Sequence, residues 1–517
     1  MNRTTLSLIA AATALAAVTG FAVVSAPDGG TTEAAADVRT PGRMPVERSS
    51  LLCPAPSASD LAETVYTTFT PAGKGDADAK AGSAELVPTD ATLAAPDEGG
   101  KDKKKDKADK DAVKPDARKP VLALKEPGKP VTAEANTAEA PALVGSAEGR
   151  LAPGWAAQQT TKVTAGQGRG VLGVSCTAPD TNFWFPGAST ADERQDYVHL
   201  TNPDDTAAVA DIELYGKDGA IESDSGEGIT VPARSSVPVL LSTLSADSAE
   251  NVSVHVTTRT GRVGAVVQAV DEEAGSDWLA ASAEAAGTAV LPGIPADATS
   301  VRLVVFAPGD DDADLKVRLA GPTGSITPAG HETLHVKAGM TTAVDLKDVT
   351  KGEAGSLLLS PAAQGRPTPV VAALRVVRGE GAAQEVAYIP ATGQVGERAT
   401  VADNRAKGSV LSLTAPGAAA EVKVTASAGS GGGEPVVRTY KIKAGTTLAV
   451  NKPPVPTGLK GSYALTVEPQ SGGPVHASRA LELPEDGIPM FTVQTMPDDR
   501  GMVSVPEAEQ DLSVLDD

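Results

Sequence analysis

Three stretches of the chain repeat one β-rich pattern at a spacing of about 105 residues, the size of a small domain rather than of a solenoid unit. The first runs from Tyr197-Val198-His199-Leu200-Thr201-Asn202-Pro203 through Val231-Pro232-Ala233-Arg234 to Gly264-Ala265-Val266-Val267. The second runs from Val301-Arg302-Leu303-Val304-Val305-Phe306-Ala307-Pro308 through Val336-Lys337-Ala338-Gly339 to Val370-Val371-Ala372-Ala373. The third runs from Val410-Leu411-Ser412-Leu413-Thr414-Ala415-Pro416 through Ile442-Lys443-Ala444-Gly445 to Val475-His476-Ala477. Each copy has an apolar run meeting a proline, a strand closing on an Ala-Gly or Ala-Arg turn, and a Val/Ala-rich strand.

Within a copy, runs such as Val252-Ser253-Val254-His255-Val256 alternate with period two and are separated by turns such as Gly216-Lys217-Asp218-Gly219. Six to eight short strands per copy and no long helical period predict an all-β chain of tandem antiparallel immunoglobulin-like β-sandwiches, with repeats interleaved as propeller blades the topological alternative. The expected spans are 183–283, 286–377 and 386–483, with a short helix allowed at Ser276–Ala286. An N-terminal β domain at 51–182 precedes them. It is split by a Lys/Asp-interleaved insertion at 96–119 that has no apolar face to bury. A flexible spacer is expected at 31–50 and an extension with an extended tail at 484–517.

Residues 1–30 read as a hydrophobic helix, either a signal peptide or a membrane anchor. The apolar run Leu6–Val24 ends at Val24-Ser25-Ala26, which fits a cleavage site yet is long enough to span a bilayer. Both alternatives place the rest outside the cytoplasm, secreted or held at the plasma membrane. The two cysteines agree: in an oxidising compartment Cys53 and Cys176 are expected to form one disulfide. A net charge of −21 argues against nucleic acid as a partner, because phosphate binding needs a basic footprint.

No residue set converges on catalysis or on a cofactor. His331-Glu332-Thr333-Leu334-His335 spells a zinc-peptidase motif, but the repeats align it with a strand. Residues four apart on a strand lie roughly 13 Å from each other, too far to share a metal. Asp310-Asp311-Asp312-Ala313-Asp314 lacks the glycine and glutamate of a calcium loop and reads as a hairpin turn. Gly166-Gln167-Gly168-Arg169-Gly170 has neither the spacing nor the following helix of a nucleotide loop. His199, His255 and His476 stand singly in strands. The cluster Phe183-Trp184-Phe185 is conspicuous in a chain with 3% aromatics. It reads as a core anchor or, alternatively, as a ligand patch for sugars or peptides, with Trp278 as a further candidate.

The motifs Cys176-Thr177-Ala178-Pro179, Trp184-Phe185-Pro186-Gly187-Ala188-Ser189-Thr190, Leu200-Thr201-Asn202-Pro203 and Leu214-Tyr215-Gly216-Lys217-Asp218-Gly219 carry a resemblance. With Leu52-Cys53-Pro54 and Leu151-Ala152-Pro153-Gly154-Trp155 they resemble an uncharacterised family of actinobacterial exported proteins, a domain of unknown function. The resemblance implies a secreted or N-terminally anchored envelope protein without established catalytic residues. The expected role is a non-catalytic scaffold, spacer or protein-interaction module for other envelope proteins. The alternatives are a cell-wall polysaccharide binder and an exported hydrolase with an unrecognised site.

Overall fold

The computed structural model describes residues 42–73, 81–92, 119–166, 168–223 and 225–505. The expected N-terminal helix and nearly all of the charged insertion lie outside them. The described residues contain no α-helix, only strands and short 3-10 turns, so the all-β reading holds. They divide into a small unit, in which Gly42–Pro45 pairs with Met502–Val505, and a body spanning Pro45–Met502.

The third strand of the second repeat, Ala313–Ala320, shows why these segments become half-buried strands. Ala313, Leu315, Val317 and Leu319 are buried, while Asp314, Lys316 and Arg318 face water. That period of two puts one apolar face against a facing sheet. In the first repeat, strands Asn182–Ala188, Val252–Thr260, Ala208–Gly216 and Ile229–Val231 form one sheet, with Gly219–Ile221 also on Ala208–Gly216. Strands Ser235–Leu240, Tyr197–Thr201, Gly264–Asp271 and Gly275–Leu279 form the other. By chain order the sheets read first-sixth-third-fourth and fifth-second-seventh-eighth. The second and third repeats have the same two orders, and each sandwich encloses its own Val/Leu/Ala core.

The N-terminal part is a fourth copy. Arg48–Cys53, Leu143–Glu148, Ala84–Pro88 and Leu122–Leu124 form its first-sixth-third-fourth sheet; Val131–Ala135, Ala62–Phe69, Ala156–Val163 and Gly170–Ser175 form the other. Its sequence hides the repeat because the charged insertion separates the third and fourth strands. Strand Arg48–Cys53 begins inside the expected spacer. The eighth strands of the last two repeats, Glu385–Pro390 and Phe491–Thr495, lie beyond the Val/Ala-rich strand on which the repeated pattern ends. Likewise Ser276–Ala286 holds no helix: Gly275–Leu279 is a strand. The start of the expected tail is also built in. Arg398 bonds the partly buried Asp499 at 2.5 Å, and Met502–Val505 is a strand.

The four sandwiches close on themselves. Strand Gly170–Ser175 packs against Gly275–Leu279, that strand against Glu385–Pro390, that against Phe491–Thr495, and the last against Gly170–Ser175 again. The first strand of each sandwich lies on the next one: Asn182–Ala188 on Val371–Arg378, Ala289–Ile294 on His476–Glu482, Ala399–Asn404 on Ala156–Val163. The sandwiches are therefore sequential along the chain yet joined as a ring. Pro186/Ala188 and Pro292/Ile294 mark the same bulge in two first strands. It sits at Gly187 and Gly293, whose φ of 103° and 92° favour glycine.

The centre of the ring is polar and closed. The Gly173 N–H donates to Asp277 Oδ1 at 3.0 Å, and Thr492 Oγ1 lies within 3.1 Å of both Asp277 oxygens. Across the centre the Val171 N–H donates to Glu385 Oε1 at 3.0 Å. A Cβ on Gly173 would sit 1.9 Å from Gln494 Nε2 and 2.5 Å from Thr492 Cγ2, so the inner strands can approach this closely only with glycine there. Burial pushes the Asp277 carboxyl well above its ordinary range and that of Glu385 up to about 8.

The last sandwich is stitched to the first by Gln158. Its Oε1 accepts from the N–H groups of Ala402 and Asp403, at 2.9 and 2.8 Å, and from Arg479 at 3.2 Å. Beside it Thr160 donates to Asp403 at 2.8 Å. Replacing Gln158 with Ala leaves buried donors without an acceptor, and we predict a loss of about 2–4 kcal/mol in denaturant unfolding.

A second prediction follows from Glu385, whose folded-state value near 8 lies above its ordinary 4.5. Between those values the folded state holds more protons than the unfolded one, so this carboxyl lowers stability progressively as pH rises. Glu385→Gln should therefore melt above the wild type at pH 8, with the gap closing towards pH 4.5. A gap that stays constant with pH would count against a buried, proton-binding Glu385.

Candidate functional site

The face of the first repeat that meets the N-terminal sandwich is only half covered. Register pairs Tyr197 with Gln268 and His199 with Val266, and the strand period turns all four outward from the core. Near the ring centre, Val266 and Trp278 pack against Ala62, Val163, Leu172 and Val174. Farther out the sheets part and leave a cleft of about 980 Å³. Its floor is Gln195, Tyr197, His199, Gln268, Val270 and Pro238; its walls come from the N-terminal sandwich, at Ala55, at 57–61, at 138–141 and at Ala165, Gly166 and Gly168, with Thr89 and Asp90.

Electrostatics of the cleft are one-sided. Asp60, Asp90 and Glu139 stand on its rim, and no lysine or arginine is among its described lining residues. His199 is 7% exposed; its Nε2 lies 3.3 Å from Gln268 Oε1, and Nδ1 has no partner among the described residues. Burial lowers its pKa to about 4, which keeps the imidazole neutral near pH 7.

The quasi-equivalent seams explain why the opening lies here. The pair Tyr197–Gln268 corresponds in register to Arg302–Arg375 in the second repeat and Val410–Ala480 in the third. Across the second seam Arg302 binds Glu250 at 2.7 Å and Arg375 binds Asp271 at 2.5 Å. At the third, Val410, Ala480, Phe491 and Val493 join the neighbouring core. Of these three seams one is bridged by ion pairs, one by apolar contact, and one stays open, while the fourth is the seam stitched by Gln158.

Other sequence candidates occupy structural positions. Cys53 and Cys176 are bonded, joining the first strand of the N-terminal sandwich to the end of its eighth across 123 residues. Phe183, Trp184 and Phe185 are 7%, 9% and 0% exposed, so they present little surface to solvent. Phe183 and Phe185 fill the first repeat's core. Trp184 stacks on His255 at 3.7 Å and meets Phe306 of the second repeat at 5.0 Å, so it fastens two sandwiches together. Trp278, at 2% exposure, is likewise an interface residue.

The His331–His335 segment is the expected strand, Thr333–Val336, with Leu334 and Val336 buried. His335 faces Asp314 at 2.8 Å in the paired strand while His331 stays in the preceding turn. His255 is held by Glu213 and Asn182, and His476 by the carbonyl of Thr392. Among the described residues no group of three or more His, Cys, Asp or Glu side chains is placed to hold a metal ion.

A model described as a family of unknown function, DUF5719, matches residues 131–453, more than half of the chain. The chain belongs to that family. The family match begins at the fifth strand of the N-terminal sandwich and stops after the fifth strand of the last, so it spans parts of all four. No curated protein matches the chain. Sequence reasoning missed Gln195, Tyr197 and Gln268. For Tyr197 and Gln268 the only signal was a neutral polar pair on paired strands where the other repeats carry arginine or aliphatic residues.

Two outcomes are expected from these contacts. Trp184→Ala should cost about 3–5 kcal/mol in equilibrium unfolding, as large-to-small changes at packed sites do. Changing both Cys53 and Cys176 to Ser should cost about 2–5 kcal/mol, with native spectra at low temperature, because the bond acts largely by restricting the unfolded chain.

Proposed function

We propose that the protein is a non-catalytic interaction module working outside the cytoplasm, with the sandwich ring serving as a rigid scaffold for another exported envelope protein. The observation that carries the reading is ring closure combined with the Cys53–Cys176 bond. A structural disulfide suits an oxidising compartment. No helix among the described residues is long and apolar enough to cross a membrane. Closure also bears on the spacer variant. A spacer gains reach by placing modules end to end, whereas here Gln158 of the first sandwich bonds Asp403 of the last.

Compartment and scaffold role are tested separately. Protein quenched in acid and denatured without reductant should take no maleimide at Cys53 or Cys176; labelling at both would refute export to an oxidising compartment. In-cell photocrosslinking from positions around the ring should give one dominant exported partner, with crosslinks confined to one face. Diffuse crosslinks without a dominant partner would sink the scaffold reading. Turnover of ester, peptide or glycoside substrates abolished by a single substitution would replace it with the hydrolase.

A further inference from the structure

We propose that the cleft between the N-terminal sandwich and the first repeat is a binding site for an uncharged carbohydrate chain. The site goes beyond the scaffold reading and does not depend on it. Three observations converge. The cleft, at about 980 Å³, lies at the upper end of the range of small-molecule sites, roughly 300–1,000 Å³. That leaves room for more than one sugar ring.

Its floor has the chemistry that sugars require. Tyr197 and Pro238 offer flat surfaces for the C–H face of a pyranose ring, and Tyr197 is half-buried, so its ring is braced yet open. Gln195 and Gln268 flank them with amides that can both donate to and accept from hydroxyl groups. Beneath lies the buried, neutral His199.

The charge pattern decides the class of ligand. Phosphate, sulfate and uronic acid groups would meet Asp60 and Glu139 with no described lysine or arginine in the lining. A cationic peptide would be drawn to those rim carboxylates. It would find no carboxylate on the floor, where Gln195, Tyr197, His199 and Gln268 are neutral hydrogen-bonding groups. Carboxylates also accept hydroxyl hydrogen bonds, so a neutral polyol uses both rim and floor. The corresponding face of the second repeat differs, because its Arg302 and Arg375 are already neutralised by Glu250 and Asp271.

The test is calorimetric titration of the full exported chain with glucan, mannan and galactan oligosaccharides, and with hexalysine and polyphosphate. At least one neutral oligosaccharide should bind, with affinity changing less than about two-fold between roughly 0.05 and 0.5 M salt. Tyr197→Ala and Gln195→Ala should each weaken it, Tyr197→Ala by roughly ten-fold, with melting temperatures near that of the wild type. Should Tyr197→Ala unfold the protein, Gln195→Ala decides, since its side chain is half-buried at the cleft. The proposal falls if no neutral oligosaccharide binds at millimolar concentration, or if binding survives both substitutions. It falls equally if only hexalysine binds and salt abolishes the binding, which would make the cleft a cationic-peptide site. None of these failures touches the scaffold reading, whose crosslinking test does not involve the cleft.

Discussion

Everything in this molecule depends on four edge strands meeting one another. The eighth strand of each sandwich is the inner edge of its sheet, and an exposed edge is a template for unwanted pairing. Here each inner edge is covered by two others. Covering them buries backbone and side-chain polar groups at the centre. Gly173 and Thr492 bond Asp277, and Val171 bonds Glu385, with contacts of 3.0–3.1 Å. The consequence is a polar hinge point of stability: two carboxyls whose protonation is favoured by folding, set where no solvent relieves them.

The seams between sandwiches show how one repeated scaffold acquires different local properties. The backbone register at the seams is shared, but the outward residues are not. Arginines facing carboxylates give one seam its ion pairs; a valine and an alanine give another a continuous apolar core. Where tyrosine, histidine and glutamine stand, the neighbour's loops do not fill the gap and a cleft remains. Divergence at a few outward positions thus converts equivalent interfaces into a glue joint, an ionic joint and a recess.

Much of the fold could be read from the chain. Strand alternation in Ala313–Ala320 or Val252–Thr260 fixes which side chains face a core, and the turns between them leave little choice but short antiparallel strands. The strand nature of Thr333–Val336 was equally legible, because its alternation overrides a motif that needs a helix. A lone cysteine pair in a long chain pointed to its own bond. The fourth copy was not legible, since its core is spread across a charged insertion and its eighth strand, Gly170-Val171-Leu172-Gly173-Val174-Ser175, shares no pattern with Phe491-Thr492-Val493-Gln494-Thr495.

What the sequence determined by itself was local: the strands, their buried faces, and a covalent tie between Cys53 and Cys176. Those follow from periodicity and turn chemistry acting over a few residues. What only the tertiary structure decided was which outward faces would meet. Trp184 reads as an exposed aromatic or as a core anchor until Phe306, over a hundred residues later, comes to lie 5.0 Å away. Tyr197 reads as one more strand residue until the sheets beside it part. Burial and recess belong to pairs of distant surfaces, and no single segment encodes them.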